Sequence, residues 1–199
     1  MTKHSFLRPY CWVGVALLVL VLRTPAQALS LLSLDPAFQE VGLGSQVTVD
    51  LRMQFDEATV GGGLDLFYDP TQLDFVSFQF HPGLGDDPGL QRQPDDLLGE
   101  LRGLGFGNFS GLTGALLVGT FTFNTLDLGI TLLSMAVNAG GLGQPGPFVS
   151  AETFEEQEVT LQGAAISIVT PEPRTLHLML LAGLTLCAYR WRQRRAARI

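Results

Sequence analysis

From Gln46 onward the chain alternates apolar and polar side chains in short runs broken by glycine and proline, the period-two signature of half-buried strands. Gln46 to Phe55 places Val47, Val49, Leu51, Met53 and Phe55 on one face and Thr48, Asp50, Arg52 and Gln54 on the other. Gly63 to Tyr68 aligns Leu64, Leu66 and Tyr68, after which Asp69-Pro70 turns the chain. Leu73 to Phe80 reads as a strand in the middle of a sandwich, with Val76, Phe78 and Phe80 on one side and Leu73 and Phe75 on the other. Ala115 to Asn124, Leu128 to Val137 and Glu158 to Val169 complete the set, and Gly163 predicts a bulge or bend in the last run. Two stretches break the pattern and read as surface loops: His81 to Asp96 with Pro82, Pro88 and Pro94, and Gly140 to Gly146 with Pro145 and the following Pro147. No segment repeats with a period of about 20 to 50 residues.

The two ends follow a different rule. Lys3, His4 and Arg8 precede an apolar run from Tyr10 to Leu22, and Ala26-Gln27-Ala28 supplies the small-x-small pattern of a secretory cleavage site. The expectation is a signal peptide over residues 1–28, with a helical apolar segment, and a mature start at Leu29. Arg23, just past the apolar run, leaves an uncleaved anchor as the alternative. Residues 170–199 carry Pro171-Glu172-Pro173, then Leu176 to Tyr189, then Arg190-Trp191-Arg192-Gln193-Arg194-Arg195. The prolines fix their own φ and push the preceding residues toward extended geometry, a form a protease binds as a strand. As a transmembrane helix, residues 176–189 would cover roughly two thirds of a ~30 Å hydrocarbon core. Trp191 and the arginines extend the span at the headgroups, and the positive-inside rule puts those arginines in the cytoplasm and the preceding domain outside it.

This tripartite order resembles the PEP-CTERM signal of Gram-negative bacteria, whose Pro-Glu-Pro, short membrane segment and basic end are recognised by an exosortase. The resemblance implies Pro171, Glu172, Pro173, Arg190, Arg192, Arg194 and Arg195 as the sorting motif. It also implies the secretion machinery and an exosortase as partners. The address would be the inner membrane in passing, then the cell surface or extracellular (biofilm) matrix.

Removing the ends changes the composition. Cys11 and Cys187, and Trp12 and Trp191, all lie outside residues 29–170, so the domain has neither disulfide nor Cys-based zinc chemistry. It holds 18 acidic residues against Arg52, Arg92 and Arg102, a net charge of −15. That sign of field excludes nucleic acid as a partner and suits solubility and divalent cations.

Within residues 29–169 three segments carry a second resemblance. Val41-Gly42-Leu43-Gly44-Ser45 leads into an alternating strand; Gly62-Gly63-Leu64-Asp65-Leu66-Phe67-Tyr68-Asp69-Pro70 is followed by Leu73; Gly119-Thr120-Phe121-Thr122-Phe123 runs on to Ile130-Thr131-Leu132. Together they are similar to cohesin-type domains. The resemblance implies an all-β, jelly-roll β-sandwich related in architecture to carbohydrate-binding modules. It names no partner, because fold is a weak warrant for function.

Candidate chemistry is sparse. Asp86, Asp87, Asp95 and Asp96 cluster in one loop as hard oxygen donors of the kind calcium takes, though without EF-hand spacing. Apart from structural calcium, no cofactor is expected. Glu152, Glu155, Glu156 and Glu158 read as a solvated edge. The domain's one histidine, His81, stands beside Pro82 with no Gly-x-Ser-x-Gly motif in the chain, so no catalytic residue is expected. A sugar-stacking site would have to use Phe67, Phe106, Phe109, Phe148 or Phe154, since Tyr68 is assigned to the core. The expected function is a non-enzymatic surface or matrix module with a protein or polysaccharide ligand. The alternatives are a dedicated exopolysaccharide-binding module and an ordinary membrane-anchored, periplasm-facing protein.

Overall fold

The computed structural model describes residues 30–85 and 90–171. The signal peptide with Ala26 and Ala28, the transmembrane segment 176–189, Glu172, Pro173, the tail arginines, and Asp86 and Asp87 lie outside the described residues. Among the described residues no helix is long and apolar enough to cross a membrane, and the one helical piece is a 3-10 turn, Pro82–Leu84.

Ten strands form the domain. In chain order they are β1 (Ser30–Asp35), β2 (Phe38–Gly42), β3 (Gln46–Phe67), β4 (Leu73–Phe80), β5 (Asp95–Asp96), β6 (Glu100–Thr125), β7 (Gly129–Val137), β8 (Val149–Ser150), β9 (Thr160–Gln162) and β10 (Ala164–Val169). Two of them are about four times the usual length: β3 has 22 residues and β6 has 26. They pair antiparallel from Gln46↔Asn124 to Phe67↔Glu100, through several register shifts. Around the first half of β3 the strand order is β4, β6, β3, β1, β9. Around its second half it is β5, β6, β3, β7, β10, β2. The two halves form the layers of a sandwich over one core, with Tyr68 meeting Phe123 across it at a 5.4 Å ring separation.

The anticipated alternation holds in β3, where Val47, Val49, Leu51, Met53, Phe55, Leu64 and Leu66 are all buried, and continues to the buried Tyr68 just past its end. The sequence reading split this element at residue 55, because the Val60-Gly61-Gly62-Gly63 stretch looks like a break; the structure carries the strand through it. Both outer strands of the chain also switch layers in tandem. β1 and β9 run parallel in one layer, and β2 and β10 run parallel in the other. The expected irregularity at Gly163 is this switch. A Cβ there would lie 2.2 Å from the Leu133 carbonyl oxygen, so only glycine fits.

β4 corrects the sequence reading of its faces. A bulge between Phe75 and Ser77 inserts Val76 as an extra residue, and Val76 is turned outward, 45% exposed. The alternation therefore changes phase, and Phe75 and Phe78 both reach β6, at ring separations of 5.7 Å to Phe123 and 4.5 Å to Phe121. Within the His81–Asp96 stretch, the described residues make specific backbone contacts. His81 Nδ1 accepts a hydrogen bond from Gly83 N and caps the 3-10 turn, and Arg92 bridges Gly105.

At the Tyr-Asp-Pro turn, the Asp69 carboxylate accepts from Thr71 N (2.8 Å) and Thr71 Oγ1 (2.7 Å), and the Thr71 hydroxyl bond and then its amide hold Asp69 below the ordinary carboxylate range. Burial raises the Tyr68 phenol, with a Gly99 backbone hydrogen bond opposing and the Asp96 and Asp74 carboxylates adding to the rise.

Two outcomes are expected. The raised Tyr68 value means the unfolded chain releases the phenolic proton first. Stability from this group is therefore full below the ordinary value of about 10 and falls as pH climbs through the folded value. Urea unfolding of Tyr68→Phe should show a shallower alkaline decline than the parent. Gly61→Ala places a Cβ 2.4 Å from the Phe106 carbonyl oxygen at φ +137° and should cost about 2 kcal/mol or more. Gly44→Ala, at φ +75° with open space around it, should cost only about 1–2 kcal/mol.

Candidate functional site

Where β3 crosses β6 the two backbones come close enough to exclude side chains. A Cβ on Gly107 would sit 2.3 Å from the Val60 carbonyl oxygen, and one on Gly62 would sit 2.6 Å from Phe148 Cα. The absence of side chains lets the 140–148 segment lie on the outer surface of β3 and β6. Gly63 N donates to Gly146 O at 2.8 Å and Asn138 N donates to Gly63 O at 2.9 Å. A Cβ on Gly63 or Gly105 would run into the Pro145 ring. Asp65 Oδ1 secures the base of the segment, accepting from Asn138 Nδ2 and Gly103 N at 2.7 Å each.

Arg92 clasps the same segment from the other side. Its guanidinium donates to the Gly143 carbonyl and, at 2.6 Å, to Asp95 Oδ2. Gln144 Nε2 also donates to Asp95 Oδ2, at 3.3 Å.

Beside this clasp is a cavity of about 660 Å³, lined chiefly by Val60, Leu90, Phe106, Pro145, Phe109 and Phe154. Its floor is fixed by buried rings, with Phe106 and Phe148 at 5.3 Å and Phe148 and Phe55 at 5.6 Å. Its rim carries two outward rings, Phe109 at 71% and Phe154 at 75% exposure. Phe154 sits at φ 60°, in a turn closed by Phe154 N to Ser150 O at 3.1 Å. The Ser150 hydroxyl in turn hydrogen bonds to the Glu57 carboxylate and accepts from Glu152 N and Thr153 N.

The residues singled out from sequence divide as follows. Of the five phenylalanines, Phe106 and Phe148 are core, Phe67 is on β3 at 37% exposure away from the cavity, and Phe109 and Phe154 are brought together. Asp95 is bound to Arg92 and Gln144, while Asp96 accepts from Tyr68 Oη (3.2 Å) and Leu98 N (3.1 Å). The two carboxylates thus serve protein donors, and no group of three metal-ligating side chains occurs among the described residues. Glu152, Glu155, Glu156 and Glu158 are exposed, as expected of a solvated edge. His81 serves as a turn cap. Pro171 is exposed just past β10, its ring 3.2 Å from where a Gly42 Cβ would be.

The sequence reading missed Arg92, Gln144 and Leu90. The available signal was the glycine-proline composition of 140–147 facing the glycines of 61–63 and 103–107, which marks backbone lying on backbone. A separate apolar row, Phe38, Ala165 and Leu132, crosses the outer face of β2, β10 and β7, with Phe38 at 59% and Leu132 at 68% exposure.

No protein-family model matches the sequence, and no curated protein matches it. The fold nevertheless has solved counterparts, cohesin domains among them. The sixth cohesin of scaffoldin B from Acetivibrio cellulolyticus, in complex with a Cel5 dockerin, superposes with a TM-score of 0.57 at 16% identity, covering 71% of this chain and 99% of that one. The seventh ScaB type I cohesin of Pseudobacteroides cellulosolvens gives 0.56 at 12% identity, over 73% of this chain and 95% of that one. A non-cellulosomal cohesin from the hyperthermophilic archaeon Archaeoglobus fulgidus gives 0.52 at 14% identity, over 76% and 98%. The described domain is therefore a cohesin-like β-sandwich.

Arg92→Ala should loosen the 140–147 segment without unfolding the domain, because the Arg92–Asp95 pair is part-exposed and such pairs are worth about 1 kcal/mol or less. Amide exchange at Gly143 and Gly146 should quicken while the midpoint of urea unfolding hardly moves; unchanged exchange there would contradict the clasp.

Proposed function

We propose that this chain is an exported, non-enzymatic interaction module that presents its sandwich to a protein partner at the cell surface or in the extracellular matrix. The observation that carries the reading is the cohesin-like fold, since several of the similar cohesins are structures in complex with dockerins. The two apolar features of its surface, the Phe109–Phe154 cavity and the Phe38–Leu132 row, offer places for such contact. A polysaccharide ligand is the second reading, drawing on the same two exposed rings.

Export and sorting rest on the sequence: the Lys3-to-Ala28 leader, the Pro171-Glu172-Pro173 triplet and the arginine-rich end. The partners in transit are then the secretion machinery and an exosortase, with residues 176–189 holding the chain in the inner membrane until it is processed. The exposure of Pro171 directly after β10 supports access of a processing enzyme to that junction.

Intact mass of the product from a host that carries an exosortase tests this delivery. The expected species begins at Leu29 and ends near Pro171 to Pro173, and deleting Pro171 to Pro173 should leave the chain retained with its tail uncut. A secreted-fraction mass that still includes residues 176–199 would instead make it an ordinary membrane-anchored protein. Cross-linking on intact cells should join the domain to a second protein, and its absence would remove the interaction reading.

A further inference from the structure

We infer that the cavity between Phe109 and Phe154 receives an apolar side chain, aromatic or branched aliphatic, carried on a cationic segment of a partner polypeptide. This rests on the protein-interaction reading and gives it a site and a partner chemistry.

Three observations lead there. The first is the placement of the rings. Phe154 adopts φ 60°, a region that disfavours a bulky side chain and that glycine would occupy without cost. The chain instead holds a phenyl ring there at 75% exposure, beside Phe109 at 71%. Strain of this kind recurs at ligand clamps. Below the rings, the buried Phe106 and Phe148 and the glycine crossing make the floor rigid, so little ordering is left for a ligand to induce.

The second is how little polar capacity the lining offers. Arg92 and Gln144 line the cavity; Arg92 is engaged with Asp95 and the Gly143 carbonyl and the Gln144 amide nitrogen with Asp95, which leaves the Gln144 side-chain oxygen, itself buried, without a hydrogen-bond partner. A sugar ring stacked on phenylalanine also needs polar partners for its hydroxyls, whereas an inserted apolar side chain needs only the walls. The lining therefore favours a polypeptide over a glycan.

The third is charge. Glu152, Glu155 and Glu156 are exposed in the same turn that presents Phe154, and the Glu57 carboxylate is hydrogen bonded to Ser150 at its base. The one cation of the lining, Arg92, is already matched by Asp95. An apolar pocket whose Phe154 wall belongs to an acidic turn selects an apolar anchor with basic flanks, the turn steering approach and the pocket supplying the hold.

The test uses the full chain in zwitterionic lipid nanodiscs and fluorescein-labelled peptides read by anisotropy: Lys-Arg-Trp-Arg-Lys, the same peptide with Ala for Trp, and Glu-Asp-Trp-Asp-Glu. The basic Trp peptide should bind saturably and the acidic one should not. Phe109→Ala, Phe154→Gly and the Trp-to-Ala peptide should each weaken binding about tenfold or more. Glu152→Gln, Glu155→Gln and Glu156→Gln combined should weaken it several-fold, as should about 0.5 M salt. Both phenylalanine variants remove exposed rings, so their melting temperatures should stay close to the parent's, and Leu132→Ser should bind normally.

Equal binding by the Ala and Trp peptides would mean charge alone and would overturn the inference. So would unchanged affinity in both phenylalanine variants, no binding of any peptide, or a neutral oligosaccharide held in a Phe109-dependent way. Partner cross-linking that persists in those variants would end the cavity assignment alone, while loss of all partner cross-linking in the parent would end the reading beneath it.

Discussion

β3 and β6 lie side by side through both layers of the sandwich, and at Gly61 and Gly107 their backbones approach so closely that a Cβ on either would meet a carbonyl oxygen at 2.4 or 2.3 Å. Everything else is arranged around that crossing. Below it, the first half of β3 collects β1 and the second half of β6; above it, the second half collects β7 and the first half of β6. Two strands that each serve both layers remove the need for separate connections. They also make the layers one cooperative unit, since neither half of the pair can register differently without moving the other. The domain has no cysteine to staple it, so this shared spine and the phenylalanine-rich core carry its stability.

The same crossing builds the cavity. Glycines that allow β3 and β6 to meet also leave the outer surface without side chains. The 140–148 segment settles there with Pro145 against Gly63 and Gly105 and its carbonyls facing Arg92 and Gly63. One wall of the cavity is thus a consequence of packing, while the other is set by the turn that holds Phe154 outward. Fold and candidate site share residues at Gly61, Gly62 and Gly105, so substitutions there should disturb both.

Much of the fold was legible in the sequence because the first half of β3 and the second half of β6 obey a simple alternation, with one face buried against the core. Illegible parts have specific physical reasons. The first half of β6 hides behind Gly103, Gly105 and Gly107, which read as breaks but mark the close approach of Gln144, Pro145 and the β3 backbone. β4 reversed its faces because a bulge at Val76 carries no sequence signature beyond an ordinary valine. β1 and β2 are short, and their pairing partners are the last strands of the chain, a contact that local pattern cannot reveal. At the site, the exposed pair Phe109 and Phe154 was among five candidates of identical chemistry, and only the tertiary fold sorts the core rings from the rim rings. Arg92 and Gln144 were silent because what matters about them is their shared contact with Asp95, which no local pattern encodes.

The domain and its cavity make a consistent account: an acidic, cysteine-free sandwich whose described surface keeps a preformed apolar recess beside an acidic turn. Hydrogen–deuterium exchange on the processed domain, alone and with the basic Trp peptide, tests that account most directly. It predicts slowest exchange along both halves of β3 and β6 in either state, with added protection on the peptide's arrival confined to residues 90–92, 105–109, 143–149 and the turn at Phe154. Protection that appears on the β2–β10–β7 face instead, or a β3–β6 pair whose two halves exchange independently, would contradict it.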